Sequence, residues 1–261
     1  MPIKDYLDKV KPYDNYYRGK LATHLPMAFI ALNEMGANDC QMQKFFEYYK
    51  PKLEIKPARN MMISQDNWQA YCFKEKHFVD LEVFFASEIE KEGVDKVLNK
   101  YLPRLSQNLT SAAFHPLIRL AFAIQAESQS EIVAALAYLA DACLVITPQL
   151  VTNTTSSEKK AFDAFAILEA LRQNGQVIKV HKINGLIADR MRYIDGLSEF
   201  NSVFNTLAND HWTLTAIADL SLNLYLRTNN FTALHALTGT QALRVVLPYI
   251  YKEKQQIVLH Q

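Results

Sequence analysis

The chain has little glycine, few cysteines, no long apolar run and no excess of charge of either sign. Only 7 of its 261 residues are glycine and only 3 are cysteine. Cys40, Cys72 and Cys143 form an odd set without CxxC spacing, which argues against a disulfide framework or a zinc finger and fits a reducing, cytoplasmic setting. Cys143, in LADACLVI, reads as an inert buried thiol. No Asn-Gly or Asp-Gly lies between alternating apolar runs, so the usual signal of a hairpin-built sheet is missing. The 28 Lys and Arg nearly balance the 27 Asp and Glu, a formal net charge of +1 that gives nucleic-acid binding little electrostatic support. Apolar stretches such as LAFAI and LVI fall far short of a membrane span, and MPIKDYLDKVKPYDNYYRGK lacks the apolar centre of a signal peptide. Neither nucleic acid nor membrane is expected as a partner.

With 49% hydrophobic and 21% charged residues, the composition is that of a folded globular chain. Apolar residues recur at spacings of three and four through nearly the whole length. The pattern predicts helices over 21–35, 39–50, 66–73, 77–92, 94–107, 111–126, 130–146, 157–173, 184–195, 198–208, 212–227 and 231–252. The fold class is therefore all-α, a compact multi-helical domain of twelve or so helices, some of them short. Asn38 is placed to cap DCQMQKFF, and Gly36 to end the helix before it. Ser156 or Ser157, and Asp210, are candidate caps further along. The stretch TPQLVTNTTSSEKK, 147–160, is the most loop-like segment. It is read as a surface loop within one domain over 1–261, with an internal boundary there as the alternative.

Three histidines occupy positions where an apolar helix would carry an aliphatic residue: His24 in THLPMAFIAL, His115 in AAFHPLIRLAF and His235 in FTALHALTGTQALRV. Each is expected to be buried. A buried imidazole needs a partner for each ring nitrogen, since an orphan costs about 1–3 kcal/mol. Each is then either a core histidine bonded to a backbone carbonyl or part of a shared site for a metal or a substrate. Pro26 places His24 near a helix start. Arg119 falls one turn beyond His115, and Glu131, Asp141 and Asp219 are candidate carboxylate partners for it. In the last predicted helix His235, Thr238, Gly239, Gln241 and Arg244 interrupt an otherwise Ala, Leu and Val window, and Gly239 there suggests a close packing contact or the approach of a ligand. No HExxH or repeated ExxH pattern is present, so neither a zincin nor a four-helix di-iron bundle is indicated. His77, His181 and His211 stand beside polar or loop residues and are read as exposed or capping, and His260 as uninvolved.

The segments THLPMAFIALNEMGA, DNWQAYCFKEKHFVDLEVFFASEIEKEGVDKVLNKYLPRL, AAFHPLIRLAFAI with EIVAALAYLADACL, and NNFTALHALTGTQALRVVLPYI occur in an order that resembles the questin oxidase-like family, over roughly residues 14–252. The 147–210 region matches least and reads as shortened. The resemblance implies an oxidoreductase: fungal relatives are associated with oxidative ring cleavage of anthraquinone-type polyketides using NADPH, and part of the family is similar to mononuclear non-haem iron oxygenases. By that resemblance His24 matches the histidine of an "HxPM" motif, His115 that of "FHPLIR" and His235 that of "LHxxT", and the three are the implied Fe(II) ligands. A further family histidine, in "TGxHA", is Gln241 here, a weak metal ligand.

On that reading Arg119, and with it Arg244, orient an enolate or phenolate of a small aromatic molecule, while Thr238, Asp141 and Asp219 are substrate-side or supporting candidates. No GxGxxG loop is present, so NADPH would need another site or another protein. Gln241 and the short 147–210 region favour a second reading, a non-catalytic helical binding or scaffold protein. A metal-dependent hydrolase is the third, since histidines and an arginine also suit activation of water beside an anion.

Overall fold

A computed structural model describes residues 1–143, 146, 164–198, 200 and 212–260. Among the described residues the regular structure is twelve α-helices, several short 3-10 turns and one small hairpin, so the fold is all-α as expected. The chain divides into two units, Met1–Tyr101 with His115–Cys143, and Leu102–Phe114 with Leu144–Gln261.

The first unit holds α1 (Ile3–Asp8), a hairpin of β1 (Tyr16–Tyr17) and β2 (Leu21–Ala22), α2 (Leu25–Glu34), α3 (Asp39–Tyr49), α4 (Phe78–Glu92), most of α5 (Val94–Leu105), α6 (His115–Gln125) and α7 (Gln129–Asp141). α7 is buried on every side from Glu131 to Asp141. A helix that is apolar all round belongs at a centre, and Ala134, Ala135, Ala137 and Ala140 leave room for the neighbouring helices α4 and α6 to approach. A cluster of Tyr6, Leu7, Leu25, Phe29, Ile30, Met42 and Phe46 joins α1, α2 and α3. The link between α2 and α3 follows its local chemistry. Gly36, at φ +79°, donates to Asn33 and Ala37 donates to Leu32, which satisfies the last carbonyls of α2. Asn38 then caps α3 reciprocally with Gln41.

The second unit contains α8 (Ala164–Gln173), α9 (Ile187–Asp195), α10 (Leu214–Thr228), α11 (Phe231–Val246) and α12 (Lys252–His260). Asn229 ends α10 in the left-handed conformation, and Asn230 caps α11 by accepting from Thr232 and Ala233. That two-residue corner packs α10 against α11.

Several expected boundaries differ. The helix expected from 21 starts at Leu25, because residues 16–22 form the hairpin, turned by Arg18, Gly19 and Lys20 at positive φ. Only one 3-10 turn, Trp68–Tyr71, stands where 66–73 was expected to be helical. The helix expected from 111 starts at His115, after Ala112, Ala113 and Phe114 run left-handed in succession. The last helix stops at Val246, where Pro248 joins a 3-10 turn before α12 begins. The 147–160 loop, the caps at Ser156, Ser157 and Asp210, most of 198–208 and His211 lie outside the described residues.

Candidate functional site

His24 is the N-cap of α2 and His115 the first residue of α6, so each imidazole stands at a helix start and not within an apolar face. The burial expected for them is corrected accordingly: His24 is exposed and His115 half-buried. Their Nε2 atoms lie 2.9 Å apart, with the rings edge to face at a centroid distance of 4.7 Å. His24 Nδ1 is 2.8 Å from the carbonyl of Ala22, which can only accept, so that nitrogen carries the proton. In a neutral His24 the lone pair is then on Nε2, and His115 Nε2–H donates to it. Two imidazolium rings would oppose two donors at 2.9 Å, so the geometry holds one proton between the two nitrogens. The backbone N–H of His24 donates to the hydroxyl of Tyr49 at 3.0 Å. Burial pushes that phenol up to about 12, so Tyr49 serves as a neutral acceptor.

Arg119 is 5% exposed and sits one turn beyond His115 on α6. Of the three candidate carboxylates, Glu131 is its partner: Nε and Nη2 lie 2.9 and 2.8 Å from Glu131 Oε2. Nη1 donates to Asn15 Oδ1 at 2.9 Å. Asp141 instead accepts from the backbone N–H groups of Lys76 and His77, fixing the start of α4. Asp219 is exposed on α10.

His235, on α11 in the second unit, is 8% exposed, and its Nδ1 is 2.8 Å from the Phe231 carbonyl. As with His24, that contact puts the proton on Nδ1 and the lone pair on Nε2. Thr238, Gln241 and Arg244 fall on the exposed side of the helix, and the Thr238 hydroxyl bonds back to the Leu234 and His235 carbonyls. Gly239 is the close packing contact: a Cβ built there would lie 2.8 Å from Phe114 Cγ, within the same unit. Cys143 is half-buried.

A cleft of about 730 Å³ also opens in the first unit, bounded by α1, α4 and the start of α7. Arg119 and Glu131 contribute to its lining, as do Lys56 and Glu82, whose Nζ and Oε2 are 2.6 Å apart. Burial pulls the Glu82 carboxyl up, and the Lys56 ammonium opposes it. Asn15, Tyr49 and the Lys56–Glu82 pair carried no periodic or motif signal, since the partners of their side chains lie 25 to 104 residues away.

Two imidazoles bound at right angles to one ion with bonds of about 2.1 Å hold their nitrogens about 3.0 Å apart. The His24–His115 spacing fits two such positions. Among the described residues no group of three or more His, Cys, Asp or Glu side chains is placed to hold a metal.

The family model described as questin oxidase-like matches residues 21–261, nearly the whole chain. The chain belongs to that family. The matched span contains His24, His115 and His235, and it excludes Asn15 and the first strand of the hairpin. No curated protein matches the chain. No helix among the described residues is long and apolar enough to cross a membrane.

Proposed function

We propose that this member of the questin oxidase-like family is an oxidoreductase of small aromatic molecules, with a metal-dependent centre built on His24 and His115. The observation that carries the reading is the 2.9 Å separation of their Nε2 atoms. His235 enters as third ligand through the family resemblance, supported by the same Nδ1-to-carbonyl tautomer as His24. Iron(II) held by neutral imidazoles with open positions supplies dioxygen activation.

The chain's own part is preparation. Ala22 holds the His24 ring with Nε2 as its lone-pair nitrogen, and His115 would offer Nε2 as a ligand once its proton had moved to Nδ1. Metal binding would weaken as pH falls, because protons compete for the two imidazole nitrogens. By the same resemblance the exposed Arg244 is the cationic side chain offered for an enolate or phenolate oxygen, whereas Arg119 is committed to Glu131 and Asn15. NADPH belongs to the reading by family alone.

Protein purified without a polyhistidine tag and supplied anaerobically with Fe(II) should hold close to one iron per chain and consume oxygen with hydroxylated quinones. His24→Ala and His115→Ala should each abolish both. Iron-free protein whose variants match the parent would overturn the reading in favour of a scaffold. Turnover without oxygen, with zinc bound, would favour a hydrolase.

A further inference from the structure

A cation beside a candidate centre is ordinarily read as a substrate anchor, but the contacts of Arg119 point inward. Three of its N–H groups are engaged, two on Glu131 Oε2 and one on Asn15 Oδ1, and the side chain is 6% exposed. Asn15 is itself 1% exposed. Its backbone carbonyl accepts from the N–H of Thr23 at 2.7 Å, and the Thr23 hydroxyl donates to the carbonyl of Asp14 at 3.0 Å. His24 is the next residue. A continuous path therefore runs from α6, which starts at His115, through Arg119 and Asn15 to the hairpin end that presents His24.

The hairpin needs such a tether. Its strands are two residues each, paired Tyr16 to Ala22 and Tyr17 to Leu21. Isolated ribbons of that size are marginal in water. Among the described residues the Asn15 Nδ2 is buried without a partner, a cost that the bond its Oδ1 accepts from Arg119 helps to offset.

We propose that Arg119 is a positioning residue, fixing through Asn15 the hairpin end that places the His24 ring against His115, with Glu131 holding the guanidinium in register. The inference rests on the reading of the histidine pair as the functional centre. It goes beyond that reading in assigning Arg119 to the pair's geometry and not to substrate.

The test compares Asn15→Leu, which removes the acceptor, with Asn15→Asp, which keeps it and eliminates the orphan donor. Glu88→Gln, a destabilising change elsewhere in the same unit, serves as control. Ring-to-ring cross-relaxation between His24 and His115 in histidine-labelled metal-free protein reports the pair directly, and Co(II) titration reports its use as ligands. Asn15→Leu should lower the cross-relaxation several-fold and weaken Co(II) by about 10- to 100-fold, as loss of an outer-shell partner does. Asn15→Asp should retain both, and Glu88→Gln should lower the melting temperature while changing neither.

Should Asn15→Leu fail to fold, Arg119→Lys, which keeps a cation for Glu131 but loses the fork to Asn15, should show the same loss of cross-relaxation. Parental cross-relaxation in whichever of these folds would overturn the proposal. Loss of cross-relaxation in a protein whose parent takes up no Co(II) would sink the metal reading and leave the positioning role intact.

Discussion

Replacing Gly239 by alanine sets two opposed effects against each other. Alanine is favoured over glycine in a helix interior by about 1 kcal/mol, and Gly239 is well inside α11, so propensity alone makes the variant more stable. The new methyl, however, would sit 2.8, 3.0 and 3.2 Å from Cγ, Cδ1 and Cβ of Phe114, well inside the 3.5–4.0 Å at which carbon atoms attract. Phe114 Cβ is fixed by the backbone and cannot move aside, and clearing Cγ and Cδ1 requires swinging the whole ring about χ1. The backbone beneath is already strained, with Ala112, Ala113 and Phe114 at φ 44°, 54° and 68°. Left-handed geometry costs a non-glycine residue about 1–2 kcal/mol. Overpacking typically costs about 1–3 kcal/mol, so the clash wins, by up to about 2 kcal/mol. At about 2–4 °C per kcal/mol for a domain of this size, Gly239→Ala should melt several degrees lower by calorimetry. Phe114→Ala in the same chain removes Cγ and Cδ1 and should recover part of that loss relative to Phe114→Ala alone, a favourable coupling between the two sites. A Gly239→Ala protein that melts higher than the parent would refute the packing argument.

Other expectations follow from the buried charges. Glu131→Gln leaves the Arg119 guanidinium buried without a counter-charge, and chemical denaturation should show a loss of about 3 kcal/mol. Glu88 is 1% exposed. Burial raises its carboxyl, but hydrogen bonds from Tyr101, Lys100 and Gln65 outweigh that and hold it below the ordinary 4.5. Its stabilisation is therefore present above pH 4.5 and lost as pH falls through the depressed folded value. Glu88→Gln should lower the melting temperature at neutral pH and flatten the acid limb of a stability-against-pH curve. Asn38→Ala removes the side-chain acceptor for the Gln41 N–H, one half of the α3 capping box, and should cost about 1 kcal/mol in the same denaturation assay.

What could be read from the chain was mostly local. Asn38 and Gln41 at a spacing of three, Gly36 at a helix end, and apolar residues every three or four positions gave the helices and several of their ends. His24 and His115 could be singled out by their apolar flanks, and Gly239 by its cost in a helix. Their exposure was misjudged because flanking residues do not tell an N-cap from an interior position: Leu25 and Pro116 turn inward while the histidines before them do not. Other features had no local signal. The left-handed turn at 112–114 contains no glycine or asparagine, and the hairpin at 16–22 has strands too short for an alternating pattern. The choice of Glu131 over Asp141 or Asp219 for Arg119, and the part of Asn15, depend on how α6, α7 and the hairpin pack, which no residue spacing encodes.

The central claim, that His24 and His115 act together as ligands, is tested most directly by an anaerobic Fe(II) titration followed through the ring-nitrogen resonances of histidine-labelled protein. Metal-free protein should show His24 protonated at Nδ1, and the His24 and His115 ring signals should broaden or shift together, complete at one equivalent of Fe(II). Spectra in which those two rings are unchanged, or in which only one responds, would contradict the claim.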